Sequence, residues 1–366
     1  MQADSTKTLA MTVSLFFFTS SLSNTFLPIY LRDSGLSLPE IITVMFFTFI
    51  VIGLLPVALL KVTRNFERIL SLGVLLTLVF YIALIYVTNP VILGLFYGLG
   101  IATFWPSFNL LMFRLSDAGK RATFISLFSV TIPSITSIIS PAVGGFLIES
   151  FGFTSLFTGS VLLYSVALAF SLRIRCQPEL QEFSIPRSPM FAVFLLTFVL
   201  FGMSESYWIA YPLFVYSVSA TVLNMGLVVA ASSLIISIIT IVVCRVSDVK
   251  RIRAEFAVLS SILYACWYFT LTLVSGMVEV VILSLVSGCA SAFALSWYAH
   301  YGDSFERKHH ASILVMMEVA LMAGRIMNLV PTYLFITTQD YSPYFMVLSL
   351  VSLLLIPLFA KSKSLA

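Results

Sequence analysis

Apolar stretches long enough to cross a lipid bilayer recur along the whole of this 366-residue sequence, with short polar breaks between them. A bilayer core is about 30 Å thick, so a helix rising about 1.5 Å per residue needs about 20 apolar residues to cross it. The runs here have that length, not the roughly ten alternating residues of a transmembrane strand, and this selects helices over a barrel. Hydrophobic residues make up 60% of the chain and charged residues 10%, where a soluble domain carries about 25% charged. The excess apolar surface has to face lipid, and lipid forces each backbone polar group to find its partner within its own segment. The sequence therefore predicts an all-α membrane protein.

Twelve spans are predicted. The first six are Thr8 to Leu31, Pro39 to Leu60, Ile69 to Val87, Val91 to Phe113, Ala122 to Ile148 and Ser155 to Ile174. The next six are Met190 to Tyr216, Val222 to Cys244, Ala254 to Ser275, Val278 to Tyr301, Ala311 to Thr337 and Ser342 to Leu358. With the N-terminus inside, eighteen of the twenty Lys and Arg residues fall in inner segments, Arg32 alone falls in an outer loop, and Arg325 falls inside a span. Positive charge concentrates on the cytoplasmic side of membrane proteins. An even number of crossings with both ends in the cytoplasm is thus expected, in the cell membrane. The first apolar stretch is too long for a signal-peptide core and reads as a span that stays. The net charge of +4 does not imply a nucleic-acid partner, because the basic residues are scattered over short loops.

The longest central inner segment holds Cys176-Gln-Pro-Glu-Leu-Gln-Glu, then Pro186 and Pro189. It reads as a cytoplasmic linker (175–188) between an N-terminal six-helix bundle (1–174) and a C-terminal one (189–366). A weak internal repeat agrees with two pseudo-symmetric halves. Leu27-Pro28-Ile29-Tyr30 is similar to Tyr211-Pro212-Leu213-Phe214 at an offset of 184, and Lys61-Val62-Thr63-Arg64 is similar to Arg245-Val246-Ser247-Asp248 at the same offset.

At the end of span 5, Ser140-Pro141-Ala142-Val143-Gly144-Gly145-Phe146 leads into Phe151-Gly152. With the two six-helix halves, this element resembles the major facilitator superfamily, whose Gly-Pro-x-x-Gly-Gly motif it matches with Ser140 in place of the first glycine. Small residues let helices approach closely, and proline loosens the ladder of a helix that must bend. Pro141, Gly144 and Gly145 are therefore expected to be a helix-packing motif, and in the family such an element is associated with exporters. The resemblance also implies a charged gating loop. The copy after span 2 lacks the family's Asp and Gly, whereas the copy after span 8 keeps Asp248 beside Arg245 and Arg251, and the role is assigned there.

Charges inside a membrane are costly and face a bundle interior or a cavity. Three stand well inside spans: Glu205 in span 7, and Glu318 and Arg325 in span 11. Glu205 and Arg325 lie at similar depth, and Glu318 precedes Arg325 by seven residues, two turns on one face. They are candidates for proton coupling, or for an ion pair that holds spans 7 and 11 together. Asn24, Trp105, Asn109, Tyr207, Trp208, Tyr211, Trp297 and Tyr298 are candidates for a substrate cavity, the alternative being packing or interfacial anchoring. His300, His309 and His310 with Asp303 read as a solvated loop, so no metal and no cofactor is expected.

These features describe a secondary transporter, not an enzyme. No phosphate-binding GxxxxGK[ST] loop, HExxH or GxSxG occurs. The expected function is alternating-access transport of a small organic solute by a monomer, coupled to protons and running as an antiporter that exports. Proton-coupled uptake of a sugar or organic anion is the alternative, and a non-transporting scaffold or receptor a further one. Reporter tags on either side of Ser188 and at Ala366 should both report cytosol, and an outside signal from either would break the assignment of spans.

Overall fold

The computed structural model describes residues 2–62, 65–115, 128, 131–175, 183–250, 253–306 and 309–365, with the backbone alone for 2–4, 62, 113–114, 240–241, 243–250, 253–254 and 292–303. All regular structure among them is helical. Span 1 is built from α1 (Gln2–Ser23), a 3-10 turn (Asn24–Phe26) and α2 (Leu27–Asp33). Spans 2 to 4 are α3 (Leu38–Val62), α4 (Phe66–Tyr86) and α5 (Pro90–Leu115). Spans 5 and 6 share α6 (Ile132–Ser171). Span 7 is split into α7 (Pro189–Met203) and α8 (Ala210–Ser219). Spans 8 to 12 are α9 (Val222–Lys250), α10 (Arg253–Leu271), α11 (Met277–Ser304), α12 (His310–Ile336) and α13 (Tyr341–Leu365). Eight helices among the described residues meet the length and apolarity of a membrane span, α6 carrying two crossings, and three shorter apolar helices supply the rest. The chain is an all-α membrane protein of twelve transmembrane helices in two pseudo-symmetric bundles.

Local chemistry explains where the helices begin and stop. Asn89 caps α5, its Oδ1 accepting from the amides of Val91 at 3.0 Å and Ile92 at 3.2 Å, and Pro90 at the first helical position has no amide to leave unpaired. Ser188 and Pro189 repeat that device at α7, with Ser188 Oγ accepting from the Phe191 amide at 3.3 Å. The turn between spans 5 and 6 is Gly152, at φ 80° and ψ 171°, a backbone state that a side chain would resist.

Two compact units divide the chain: Met1–Gln181 with Thr221–Ala230, and Glu182–Ala220 with Ala231–Ala366. In the first, α1 packs along α6, and α5 lies against α3 and α4. Its core is aromatic: the Phe16 ring stacks on Phe104 with centroids 3.5 Å apart, and Tyr81 stacks on Tyr164 at 5.3 Å. In the second, α7 packs on α12 and α13, and α10 on α11 and α13, around Phe191, Phe194, Phe198, Phe305, Met317 and Phe359. Large apolar residues such as Leu54, Leu162, Leu273 and Leu350 stay exposed, a surface that suits lipid and not water.

The span 5 motif lies where backbones touch. A Cβ added to Gly144 would lie 2.3 Å from the Leu22 carbonyl oxygen, and one on Gly145 would lie 2.8 Å from that of Val222. The Pro141 carbonyl oxygen would meet a Cβ on Gly226 at 2.4 Å. All of these residues belong to the first unit, since the opening turns of α9 pack with it. Gly159, on span 6, has open space at the same test. Gly144→Ala should therefore lower the melting temperature of the purified protein, by an overpacking cost of about 1–3 kcal/mol. Gly159→Ala should leave it unchanged or raise it, since alanine is the better helix former by about 1 kcal/mol. Equal responses would remove the close approach as the reason for the motif.

Candidate functional site

Span 7 does not run straight through. The sequence predicts an unbroken helix from Met190 to Tyr216, whereas the helical ladder stops at Met203 and resumes at Ala210. The cause is Pro212. It offers no amide to the carbonyl one turn earlier, and its ring crowds that carbonyl. In the first turn of a new helix both costs vanish, and Pro212 is the third residue of α8. Span 1 is interrupted more mildly, by a 3-10 turn at Asn24–Phe26 that stays hydrogen-bonded, just before Pro28 in the first turn of α2. The two breaks thus sit one turn before the two prolines that the internal repeat superimposes.

A break inside a membrane leaves carbonyls without partners, and side chains have to supply them. In span 7 Asn328 of α12 does much of this, its Nδ2 donating to the carbonyls of Met203 and, at 3.3 Å, Glu205. Tyr268 of α10 donates its hydroxyl to the Ser204 carbonyl. Asn328 is itself held, its Oδ1 accepting from the hydroxyls of Tyr344 at 2.9 Å and Thr332 at 3.0 Å. Hydroxyls on one side and carbonyls on the other fix which way the amide points. In span 1 the matching elements recur: the Tyr81 hydroxyl donates to Asn24 Oδ1 at 2.6 Å, and the Ser23 and Ser160 hydroxyls lie 2.5 Å apart.

Glu205 lies in the span 7 break. Its carboxylate receives a bidentate grip from Arg325, Nε to Oε2 at 2.6 Å and Nη2 to Oε1 at 3.2 Å. The Trp208 indole adds a third donor to Oε2 at 2.8 Å, and the Trp208 ring lies against the guanidinium, 5.3 Å from its carbon to the ring centroid. Arg325 Nη1 reaches Glu318 Oε2 at 3.4 Å. The side chains of Glu205 and Arg325 are 5% and 8% exposed, and that of Glu318 is 23% exposed. Planar guanidinium–carboxylate pairing is the strongest ionic hydrogen bonding available to side chains, and it needs fixed distances between the two helices. Two glycines fix them. A Cβ on Gly202 would lie 2.5 Å from the Leu321 carbonyl oxygen, and one on Gly324 only 1.9 Å from that of Val199.

The three intramembrane charges singled out from the sequence are thus brought into one cluster. Trp208 joins it directly, and Tyr207 extends from it with its ring 5.2 Å from that of Trp208 and 54% exposed. Tyr211 packs elsewhere, its ring 5.4 Å from that of Trp267. In the first unit Asn24 is committed to the span 1 break. Trp105, 38% exposed, leans on Phe17 at 5.3 Å, and Asn109 lies one turn further along α5. The side chains of Trp297, Tyr298, Arg245 and Asp248, and the whole of Arg251, lie outside the described residues. Sequence reasoning missed Asn328, Tyr268 and the glycine pair. Asn328 stands three residues beyond Arg325 on the same helical face, a signal that could have found it, whereas Tyr268 is one of 15 tyrosines with nothing to mark it.

Residues 9–189 match the Major Facilitator Superfamily. The "Uncharacterized protein in sodM 3'region" of Geobacillus stearothermophilus is 31% identical over 170 residues, which are 42% of this chain and 76% of that protein. Among solved structures, the nucleoside transporter NupG superimposes with a TM-score of 0.74 at 16% identity, covering 98% of this chain and 99% of that one. The D-xylose-proton symporter does so with a TM-score of 0.72 at 12% identity, covering 97% of each. Twelve spans in two repeated bundles, the family match over the first bundle and these likenesses in fold agree: the chain is a multi-pass membrane protein that belongs to the major facilitator superfamily of transporters.

Proposed function

We propose that the chain exports a small organic solute by proton antiport, through alternating access of its two six-span halves, with Glu205, Glu318 and Arg325 as the coupling centre. The observation that carries this reading is the ionic cluster at the break in span 7. Placing two carboxylates and a guanidinium inside a membrane costs several kcal/mol per ion before pairing, and a scaffold would keep its fold with apolar residues there. A carboxylate with a nearby arginine and a route to water can hold a proton on one side and release it on the other. In this reading the cell membrane holds the protein as a monomer with both ends in the cytoplasm. Tyr207 and Trp208 contribute apolar ring surface to the solute, and Asp248 with Arg245 and Arg251 gates the inner side. The association of the span 5 element with exporters supports the direction. Uptake by symport is the runner-up, and the nucleoside and D-xylose named for the two similar structures are examples of solutes that this fold carries.

A second reading is favoured by the geometry of the pair itself: the bidentate Glu205–Arg325 contact fastens α12 to the broken span. One experiment separates the two. In proteoliposomes, with a solute identified by thermal-shift screening, Glu205→Gln and Glu318→Gln should each cut pH-gradient-driven flux at least tenfold. Removing one partner of a buried pair should also cost about 3–5 kcal/mol of stability, whereas replacing both with apolar residues should restore it. If Glu205→Leu combined with Arg325→Met recovers both melting temperature and coupled flux, the pair is only a fastener and the coupling role is lost.

A further inference from the structure

Spans 9 and 12 pack on each other within the second unit, and each keeps an apolar face exposed. The exposed residues include Leu259 and Ile262 on α10, and Leu350, Leu353 and Leu354 on α13, at the spacing of one helical face. Two bonds mark the line along which the helices meet. Inside the membrane the Ser349 hydroxyl donates to the Ala265 carbonyl at 2.9 Å, and at the rim Lys363 Nζ reaches Glu255 Oε1 at 2.5 Å. The two points are ten residues apart on α10 and fourteen on α13, about 15 and 21 Å at the helical rise. One leaflet of hydrocarbon is about 15 Å deep, half of the bilayer core. The lipid-facing furrow between the two helices therefore has the depth of a single acyl layer.

The rim of that furrow is basic. Lys361 continues the exposed face of α13, seven residues beyond Leu354, and about 10 Å of helix carries it from hydrocarbon into the headgroup layer. Among the described residues it bonds to no acid. Lys363, 62% exposed, is shared with Glu255, 48% exposed, and Arg253 opens α10 two residues before that acid. Three basic residues thus gather around one acidic residue, at the point where two apolar stripes end. Basic clusters at the end of a span attract anionic lipids. A free anion would meet the charge and leave the furrow uncovered. A zwitterionic lipid would cover the furrow, but it brings its own ammonium and leaves the basic excess uncompensated. A lipid with a net negative head answers both.

We infer that the furrow between α10 and α13 binds one anionic phospholipid, with its phosphate on Lys361 and Lys363 and an acyl chain against Leu259, Ile262 and Leu354. The site belongs to the membrane surface where α13 ends, the cytoplasmic one in the orientation proposed above, and it is independent of which solute the chain carries. The lipid gives Lys361 the partner that the described residues do not, and it bridges the end of α13 to the start of α10. A ligand that binds only the folded protein stabilises it by mass action.

Three probes test this on the full-length protein in detergent: dioleoylphosphatidylglycerol, dioleoylphosphatidylcholine, which differs from it only in the head, and sn-glycerol 3-phosphate, a head without tails. The readouts are the melting temperature and the lipid retained in native mass spectrometry. Wild type should melt higher with phosphatidylglycerol than with phosphatidylcholine and retain it with at least tenfold preference. That preference should fall at about 1 M salt, where charges are screened beyond about 3 Å. Lys361→Gln, which breaks no ion pair among the described residues, should cut the preference at least threefold. Lys361→Gln with Lys363→Gln should abolish it and leave the melting temperature in phosphatidylcholine unchanged, because an exposed ion pair adds little stability. Lys361→Arg with Lys363→Arg should keep the preference, and so should Arg173→Gln, which removes an exposed basic residue at the end of span 6. A preference that survives the double glutamine variant would overturn the site. One that Arg173→Gln lowers just as far would reduce it to an effect of net charge and overturn it too. Glycerol phosphate that raises the melting temperature as much as the lipid would overturn the lipid as its occupant.

Discussion

A helix that stops inside a bilayer exposes carbonyl groups where no water can reach them, and the rest of this structure is arranged around that constraint. Span 7 stops and span 1 tightens into a 3-10 turn, each just before a proline of the internal repeat. In each, a tyrosine from another span reaches in: Tyr81 to the Asn24 side chain in one half, Tyr268 to the Ser204 carbonyl in the other. The halves share this scaffold and differ in what they hang on it. The first half keeps its break neutral, with an amide and hydroxyls. The second places Glu205 in the break and draws Arg325 and Glu318 to it.

The loss of helical hydrogen bonds has a return in directional freedom. A residue on a continuous helix has its side-chain direction set by the helical period. Residues 204–209 are released from that period, and Glu205 and Trp208, three positions apart, both reach one guanidinium, Glu205 as an ion and Trp208 with its ring while its indole N–H donates to Glu205. Asn328 ties the same stretch to the helix that carries Arg325, so the backbone that positions the acid and the base that holds it share one support.

Much of this was legible in the sequence. The spans and the three intramembrane charges follow from hydrophobic run length and the cost of burying ions, effects strong enough to read one residue at a time. The break in span 7 was not read, although Pro212 and the serines before it were in view, because proline is tolerated in membrane helices whenever neighbours supply the missing partners. Those partners, Tyr268 and Asn328, lie over sixty and over a hundred residues away along the chain. Nothing local announces such a contact. The glycine pair was hidden for the same reason: Gly202 and Gly324 look alike in sequence to glycines that meet only open space.

That glycine pair has a mechanical consequence. Where two helix backbones touch with no side chains between them, neither can slide along the other without collision, and α7 and α12 form a single stiff strut. Any movement of one carries the other, and the Glu205–Arg325 contact rides along undisturbed. The electric field that Arg325 imposes on Glu318, seven residues away on the same helix, is then nearly constant whatever the strut does. Under the proton-coupled reading, a cycle built on such a part works by changing which pool of water wets the charges and not by pulling them apart.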